Sequence, residues 1–381
     1  MNYFNFIFHG NIEFGVGSRK KIDDILTYNH YKSACIVIDH ALVAMPLFTD
    51  FLNSVKCDTT IIECDISEPT YEKLEEKRIS SDDKKIDVFI GIGGGSAIDM
   101  AKGLSVLYSN HAHAINYRGF DKYKEPIQPV IAIPTTAGTG SEITPNASFI
   151  DTQEKRKMGI NGEAIRPKYA ILDPELTLSC PKYPTISAGV DSMVHATEAF
   201  VAKKSNSMAK MFAKEGFKLV IENLPTLIDN LEKVELREKL MYGAFLSAIA
   251  LMNSGTGPAA AMSYPLGVHF GVPHGIGGGI FLPHVIEHNI SKGFLNYSDL
   301  YKTDNQNSKE ISASLFVEKV KKVWDQLDIP QDLGVFGLNK THITSFVSDA
   351  MDLKGALDQN PVPFYENEIK STLAKLKVRE K

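Results

Sequence analysis

A buried strand that runs into a glycine-rich turn and then a helix decides the fold: Gly91-Ile92-Gly93-Gly94-Gly95-Ser96-Ala97-Ile98-Asp99-Met100-Ala101-Lys102. The strand begins near residue 86 and is mostly apolar, as expected where both faces of a parallel sheet are covered. Glycines let the backbone approach a pyrophosphate closely, and the N-terminus of the following helix offers N–H groups to it. The spacing differs from G-x-G-x-x-G, so an ordinary structural turn remains the alternative to a phosphate-binding one.

Similar strands lie on both sides of this turn. Apolar runs separated by polar, helical stretches occupy residues 34–39, 61–64, 130–133 and 169–173. Strands that alternate with helices predict a doubly wound, Rossmann-like α/β domain, which binds its ligands beyond the carboxyl ends of the strands. We assign residues 1–180 to this dinucleotide-binding domain, with a short hairpin formed by 5–8 and 12–14 at its start.

A second polar loop follows the strand at 130–133 and reads Pro134-Thr135-Thr136-Ala137-Gly138-Thr139-Gly140-Ser141-Glu142. Its hydroxyl groups can donate hydrogen bonds to phosphate or to a nicotinamide amide. An ordinary turn explains any one of these residues, but not the whole run. The loop is therefore predicted to lie at the same sheet edge as the glycine turn.

Beyond residue 180 helical periodicity replaces the strand pattern, so residues 181–381 are predicted to form an all-α domain. Its first helix contains Gly189–Ala199, in which Asp191 and His195 stand four residues apart. Residues with this spacing share a helix face, with Cβ atoms roughly 5–6 Å apart. A carboxylate and an imidazole so placed can hold a divalent metal ion. The alternative is a helix-capping aspartate and a hydrogen-bonded core histidine.

Composition restricts the kind of partner. The chain has 381 residues and a formal net charge of −5, with no basic patch of the kind that binds nucleic acid or a membrane surface. Its four cysteines show no CxxC spacing, and no apolar run reaches the roughly 20 residues of a membrane helix. No signal peptide is apparent. We therefore expect a cytoplasmic protein without nucleic acid or membrane partners.

Taken together, these motifs resemble the iron-containing (group III) alcohol dehydrogenase family. The matching stretches span nearly the whole chain and comprise Gly93–Lys102, Pro134–Glu142, Gly189–Ala199, Tyr264–Gly267 and Pro273–Gly275. The resemblance implies a cleft between the two domains for nicotinamide, metal and substrate. It also implies reversible hydride transfer between a small-molecule alcohol or aldehyde and NAD, and a homodimer.

The resemblance assigns a set of cofactor-binding residues. Asp39 should face the adenosine ribose, where a carboxylate favours NAD over NADP, and Glu68 adds a second acid at that edge. The remaining assigned residues surround the phosphates and the nicotinamide: Gly94, Gly95, Ser96, Asp99, Thr135, Thr136, Thr139, Thr144 and Lys157.

The metal ligands implied by the resemblance are incomplete. The family usually uses one Asp and three His, and Asp191, His195 and His274 occupy three of those positions. The fourth position, fourteen residues before His274, holds Ala260, and Tyr264 replaces another frequent histidine. One interpretation is a three-ligand Fe or Zn site completed by water or substrate. The other is a metal-free nucleotide-binding paralogue without dehydrogenase activity.

Two further questions stay open at the level of sequence. His269 is predicted to act in catalysis as a proton relay or substrate contact, with replacement ligand and surface residue as alternatives. The variant Ser263–Gly267 and the missing ligand resemble a sugar-acid branch of the family that oxidises the terminal hydroxyl of a 3-deoxy-octulosonate. A short alcohol or a phosphonate aldehyde are the other candidate substrates.

Overall fold

The computed structural model describes residues 3–8, 10–65, 68–80, 84–302 and 308–379. The chain divides into two compact units, Phe8–Cys180 and Pro181–Lys381 together with Met1–Ile7. The start of the chain thus groups with the second unit, although we assigned it to the first. There the Ile7 N–H donates to Asn253 Oδ1 at 2.6 Å, and the rings of Phe6 and Phe212 stack 5.7 Å apart.

The first unit contains every strand found in the described residues. They are β1 (Asn11–Phe14), β2 (Ser33–Asp39), β3 (Asp58–Cys64), β4 (Val88–Gly93), β5 (Gly119–Phe120), β6 (Val130–Pro134), β7 (Asn146–Asp151), β8 (Arg156–Asn161) and β9 (Tyr169–Leu172). Six of them form a parallel sheet in the order β1-β9-β6-β4-β2-β3, and β5, β8 and β7 form a small second sheet. The helices of this unit are α1 (Ile22–Tyr28), α2 (His40–Val43), α3 (Pro46–Ser54), α4 (Tyr71–Glu76) and α5 (Gly95–Ser109).

Alternate residues of each central strand pack into two different cores. Ile36 and Ile38 of β2 join the side chains of α1 and α3, whereas Cys35 and Val37 join those of α4 and α5. Burial of both faces explains why these strands are continuous apolar runs in the sequence. The predicted doubly wound α/β unit is therefore confirmed.

The strand order reverses between β2 and β4, and sheets of this type bind ligands at such a reversal, beyond the carboxyl ends of the strands. Asp39 ends β2 and Gly93 ends β4. Gly93 has φ +147°, and a Cβ placed on it would lie 3.1 Å from the Cβ of Asp39 and 2.8 Å from that of Ala97. Only glycine lets the two strand ends approach this closely.

The predicted N-terminal hairpin is wrong. Residues 5–8 form no strand, and β1 pairs in parallel with β9, with Asn11 opposite Tyr169. His9, the first residue of the expected turn, lies outside the described residues. Alternating apolar residues suit the edge of a parallel sheet as well as a hairpin, and the partner of β1 lies far away in sequence.

The second unit is helical, as predicted. Its described helices are α6 (Lys182–Val201), α7 (Ser207–Ile228), α8 (Val234–Met252), α9 (Pro258–Phe270), α10 (His274–Ser291), α11 (Lys309–Gln326), α12 (Ile343–Asp352), α13 (Lys354–Leu357) and α14 (Glu366–Lys375). Nearly all of α6 is buried among α7, α8 and α10. None of the helices in the described ranges has the length and hydropathy needed to cross a membrane.

Candidate metal centre and nucleotide-binding edge

Two helices bring three potential metal ligands together. Asp191 and His195 lie one turn apart on α6, and His274 begins α10. The Nε2 atoms of His195 and His274 lie 3.5 and 3.8 Å from Asp191 Oδ1. One ligand atom from each residue lies within 4.8 Å of the other two, and no other such group of His, Cys, Asp and Glu occurs in the described residues.

The chemistry of this group fits a divalent cation. Asp191 and His195 are buried, and the Nδ1 atom of His195 has no hydrogen-bond partner in the described part of the chain. A buried carboxylate next to two imidazoles is costly unless a positive charge compensates it. Carboxylate oxygen and imidazole nitrogen both bind Fe and Zn, with distances of about 2.0–2.2 Å for Zn.

A glycine makes the approach of α10 to α6 possible. A Cβ on Gly275 would lie 2.0 Å from the Ser187 carbonyl oxygen and 2.8 Å from the Cβ of Asp191. No side chain fits there, so the first turn of α10 lies directly on α6. His274, the preceding residue, thereby reaches the ligands of α6.

The N-terminus of α9 is bound to α6 through Glu198. Its carboxylate accepts hydrogen bonds at 2.7 Å from the N–H groups of Gly257 and Ala259 and from the Thr256 hydroxyl. Burial raises the pKa of Glu198, although these donors oppose the shift. Ala260, the position of the missing ligand, lies in this capped turn and is buried.

His269 does not belong to the group formed by Asp191, His195 and His274. It is near the end of α9, and its Nε2 atom lies 2.7 Å from Asp349 Oδ2. The group of mutually close ligand atoms in the described residues does not include it. The structure therefore does not favour the replacement-ligand alternative, and the relay role stays a prediction.

In the first unit, the glycine turn (Gly93–Gly95) and the polar loop Pro134–Glu142, called here the threonine loop, meet at the carboxyl edge of the sheet. The Thr135 N–H donates to the Gly93 carbonyl at 2.8 Å, and a Cβ on Gly95 would lie 3.0 Å from the side chain of Thr139. A Cβ on Gly94 would lie 3.6 Å from Thr136. No side chain caps the N-terminus of α5, so its first N–H groups suit a phosphate.

The Asp99 carboxylate is held by hydrogen bonds within the protein. Its carboxylate accepts a hydrogen bond from the Ser148 N–H at 2.8 Å and another from the Ser141 hydroxyl. Burial raises its pKa, and the nearby Lys102 ammonium opposes that shift. These bonds within the protein make Asp99 a positioning residue for the threonine loop, while direct cofactor contact stays a prediction.

Lys102 adds hydrogen bonds to the same internal network, in which Asp99 and Ser141 are already joined. The side chain is fully buried, and Nζ donates to Ser141 Oγ and the Thr144 carbonyl at 3.0 Å and to the Asn146 carbonyl at 2.7 Å. Burial lowers its pKa to about 8, with Asp99 opposing, so the amine still carries a proton at neutral pH. Thr144 takes part in this hydrogen-bond network through its backbone carbonyl.

The assigned residues not yet described are Asp39, Lys157 and Ser96. Asp39 is half-buried and caps α2 by accepting the Ala41 N–H at 3.0 Å. Burial raises its pKa, and the Ala41 N–H opposes the shift. The Lys157 ammonium lies 2.5 Å from the Glu68 carboxylate. Ser96 lies in the first turn of α5.

We expect Lys102→Met to destabilise the first unit strongly. The change leaves the Ser141 hydroxyl oxygen and two carbonyls without their donor and removes the positive charge 3.7 Å from the Asp99 carboxylate. This costs about 3–5 kcal/mol, or roughly 6–20 °C in melting temperature. Thermal unfolding followed by circular dichroism measures the loss. Asp99→Asn combined with Lys102→Met should recover part of it, whereas Lys239→Met, at an exposed position, should change little.

The sequence analysis did not assign the roles of Lys102, Glu198 and Gly275. For two of these residues, the sequence contains a pattern from which the role could have been predicted. Lys102 and Glu198 are charged residues within otherwise apolar helices, a pattern that indicates a buried group with hydrogen-bond partners. The role of Gly275 depends on which helices meet.

An α/β unit with an uncapped helix N-terminus after its glycine-rich turn and a helical unit with an Asp-His-His group fit a metal-dependent, nucleotide-linked dehydrogenase. The family model described as iron-containing alcohol dehydrogenase matches residues 10–174. The model for the C-terminal part of the Fe-containing alcohol dehydrogenase family matches residues 185–377. The chain belongs to the iron-containing alcohol dehydrogenase family, so the resemblance noted from its motifs is confirmed.

Individual relatives agree with this assignment. NAD-dependent methanol dehydrogenase of Bacillus methanolicus is 29% identical over 89% of this chain and 91% of its own length. Long-chain-alcohol dehydrogenase 1 of Geobacillus thermodenitrificans is 31% identical over 80% of this chain and 79% of its own. The crystal structure of a 1,3-propanediol oxidoreductase matches with a TM-score of 0.92 at 24% identity, covering 98% of this chain and 100% of that one, and confirms the fold. The expected class of activity, that of an alcohol dehydrogenase, is confirmed, and these relatives lend no support to a metal-free paralogue.

Proposed function

We propose that this alcohol dehydrogenase interconverts a small alcohol and its carbonyl compound with NAD, using a divalent ion bound by Asp191, His195 and His274. The observation that carries the proposal is the convergence of these three side chains from α6 and α10. An ion bound there supplies Lewis acidity, which lowers the pKa of an alcohol oxygen and polarises a carbonyl oxygen.

The residues of the site determine how such an ion would be held. Asp191 supplies the only negative charge, and the two imidazoles are neutral donors, so the three ligands compensate half of a divalent charge. Burial of Asp191 and His195 excludes water from their side of the site and strengthens the electrostatic interactions there. The uncompensated charge favours a substrate oxygen as the next ligand.

Ala260 bears on the substrate class. Three protein ligands plus one open position is the usual arrangement in catalytic zinc sites. Alanine offers no lone pair where the family usually places an imidazole, so a bound ion would take a further ligand from water or from a second substrate oxygen. We therefore favour a polyoxygenated alcohol as substrate, with a sugar acid of the octulosonate type as one candidate.

The cofactor assignment rests on the first unit. Gly94, Gly95 and Ser96 lie at the uncapped N-terminus of α5, which favours the pyrophosphate. Thr136 and Thr139 adjoin that turn and offer hydroxyls. The name of the methanol dehydrogenase relative includes NAD dependence, which supports the same cofactor here. A homodimer in the cytoplasm stays a prediction.

We expect Asp39→Ser to relax the preference for NAD over NADP. Serine keeps the helix cap but removes the carboxylate that would repel a 2′-phosphate. A repulsion of a few kcal/mol near a protein surface corresponds to a change on the order of 10–100-fold in the ratio of kcat/KM for the two cofactors. Steady-state kinetics with both cofactors measures that ratio. An unchanged ratio would show that Asp39 does not face the ribose.

Elemental analysis and a substrate panel test the proposed function together. Protein purified without chelator should contain close to one Fe or Zn per chain. It should also produce substrate-dependent absorbance at 340 nm with NAD and some member of a panel of short alcohols, polyols and sugar acids. Protein with neither bound metal nor NADH formation would refute the proposal and restore the metal-free alternative.

A further inference from the structure

We infer that Ser263 is a positioning residue that selects the tautomer of His274, keeping the ring proton on Nδ1 and the lone pair on Nε2. The inference deepens the proposed metal site and rests on it for its functional meaning. It concerns the protonation of the His274 ring in the metal-free protein.

The geometry involves three groups on two helices. Ser263 lies on α9, is fully buried, and its Oγ atom is 2.6 Å from the Ala260 carbonyl oxygen and 2.6 Å from His274 Nδ1. On the other side of the same ring, His274 Nε2 lies 3.8 Å from Asp191 Oδ1. One imidazole therefore contacts a hydroxyl through Nδ1 and faces the candidate ligand group through Nε2.

Counting protons assigns the direction of each hydrogen bond. A serine hydroxyl has one proton to donate, and a carbonyl oxygen has none. Two oxygens 2.6 Å apart need a proton between them, so the hydroxyl of Ser263 donates to the Ala260 carbonyl. The same hydroxyl must then accept from His274, which places the ring proton on Nδ1. In the neutral ring Nε2 keeps its lone pair, as a metal ligand requires.

Packing holds this arrangement in place. A Cβ on Gly277 would lie 3.0 Å from the Cβ of Ser263, so the missing side chain allows α9 and α10 to come together at this position. The ring of Tyr264 lies edge-on to the His274 ring, with centroids 5.1 Å apart. The imidazole is thus restricted in orientation as well as in tautomer, which is the usual task of groups that support metal-binding histidines.

A serine that donates to a carbonyl of its own helix is common, so the contact with the imidazole is the informative one. Ser247 on α8 shows the difference. It is equally buried and donates to the Gly243 carbonyl at 2.8 Å, without contacting a candidate ligand. Ser247→Ala is therefore a matched control for loss of a buried helical hydroxyl.

The first experiment observes the tautomer directly in the wild-type protein. Long-range ¹H–¹⁵N correlation spectra of metal-free, ¹⁵N-histidine-labelled protein report which ring nitrogen carries the proton, and His274→Gln identifies the signal. We expect Nδ1–H for His274 in the wild type. A ring protonated at Nε2 alone would overturn the inference, whether or not the protein binds metal.

The second experiment measures Zn²⁺ affinity by chelator competition. We expect Ser263→Ala to weaken Zn²⁺ binding by about 10–100-fold, as is typical when a group supporting a metal ligand is lost, and Ser247→Ala to leave it unchanged. Equal affinities of wild type and Ser263→Ala would contradict the positioning role while leaving the metal site intact. No Zn²⁺ binding by the wild type would instead remove the proposed function, and the tautomer measurement would still decide the inference.

Discussion

Replacing Asp191 with alanine is expected to reduce kcat by about 10³-fold or more, because a metal ion in such a site contributes several kcal/mol of transition-state stabilisation. Asp191 supplies the only charge of the group, and its Oδ1 atom is near both imidazoles. His195→Ala should have a comparable effect, since it removes the buried donor one turn away. Steady-state turnover and the metal content of each variant measure the loss.

Cofactor binding should survive these changes, because the residues assigned to NAD belong to the other unit. Calorimetric titration with NAD tests this expectation. His288→Gln is a matched control for losing a histidine from the helical unit, since His288 donates through Nε2 to the Pro363 carbonyl at 3.2 Å and is not among the proposed ligands. A parallel collapse of NAD affinity and turnover in Asp191→Ala would contradict a purely metal-binding role.

Gly275→Ala is expected to impair both stability and the metal site although it alters no proposed ligand. Its Cβ would lie 2.0 Å from the Ser187 carbonyl oxygen, which belongs to helix backbone and cannot move aside alone. Helix α10 must shift from α6 and take His274 with it. Overpacking of this kind costs about 1–3 kcal/mol or more, and a ligand misplaced by about 1 Å costs on the order of 10²-fold in activity.

Zn²⁺ titration and thermal unfolding of Gly275→Ala measure the two effects separately. Gly355→Ala is the matched control, because it also lies in a helix of the second unit and a Cβ there would meet no atom within 4 Å. That control should be neutral or more stable by up to about 1 kcal/mol, as alanine is the better helix former. Normal Zn²⁺ affinity in Gly275→Ala would show that the close approach of α10 does not position His274.

Much of the candidate site could be predicted because its residues are local in sequence. Asp191 and His195 share a helix face by their spacing alone, and the glycine turn at 93–95 follows a recognisable strand. The hairpin prediction failed because strand pairing depends on a partner more than 150 residues away, about which a local pattern carries no information. The internal role of Asp99 was missed for the same reason, since its partners Ser141 and Ser148 lie on other elements.

By itself, the sequence determined the two kinds of unit, the glycine turn at the switch of strand order, and the pair Asp191 and His195, because strand and helix periodicities act over a few residues. His274 was assigned to that pair only through the family resemblance, and the tertiary structure decided that it reaches the pair and that Ser263 contacts its ring. Both contacts depend on helices meeting at Gly275 and Gly277, where an absent side chain sets the distance between backbones. Such an approach is a property of two packed surfaces, and no single stretch of sequence specifies both.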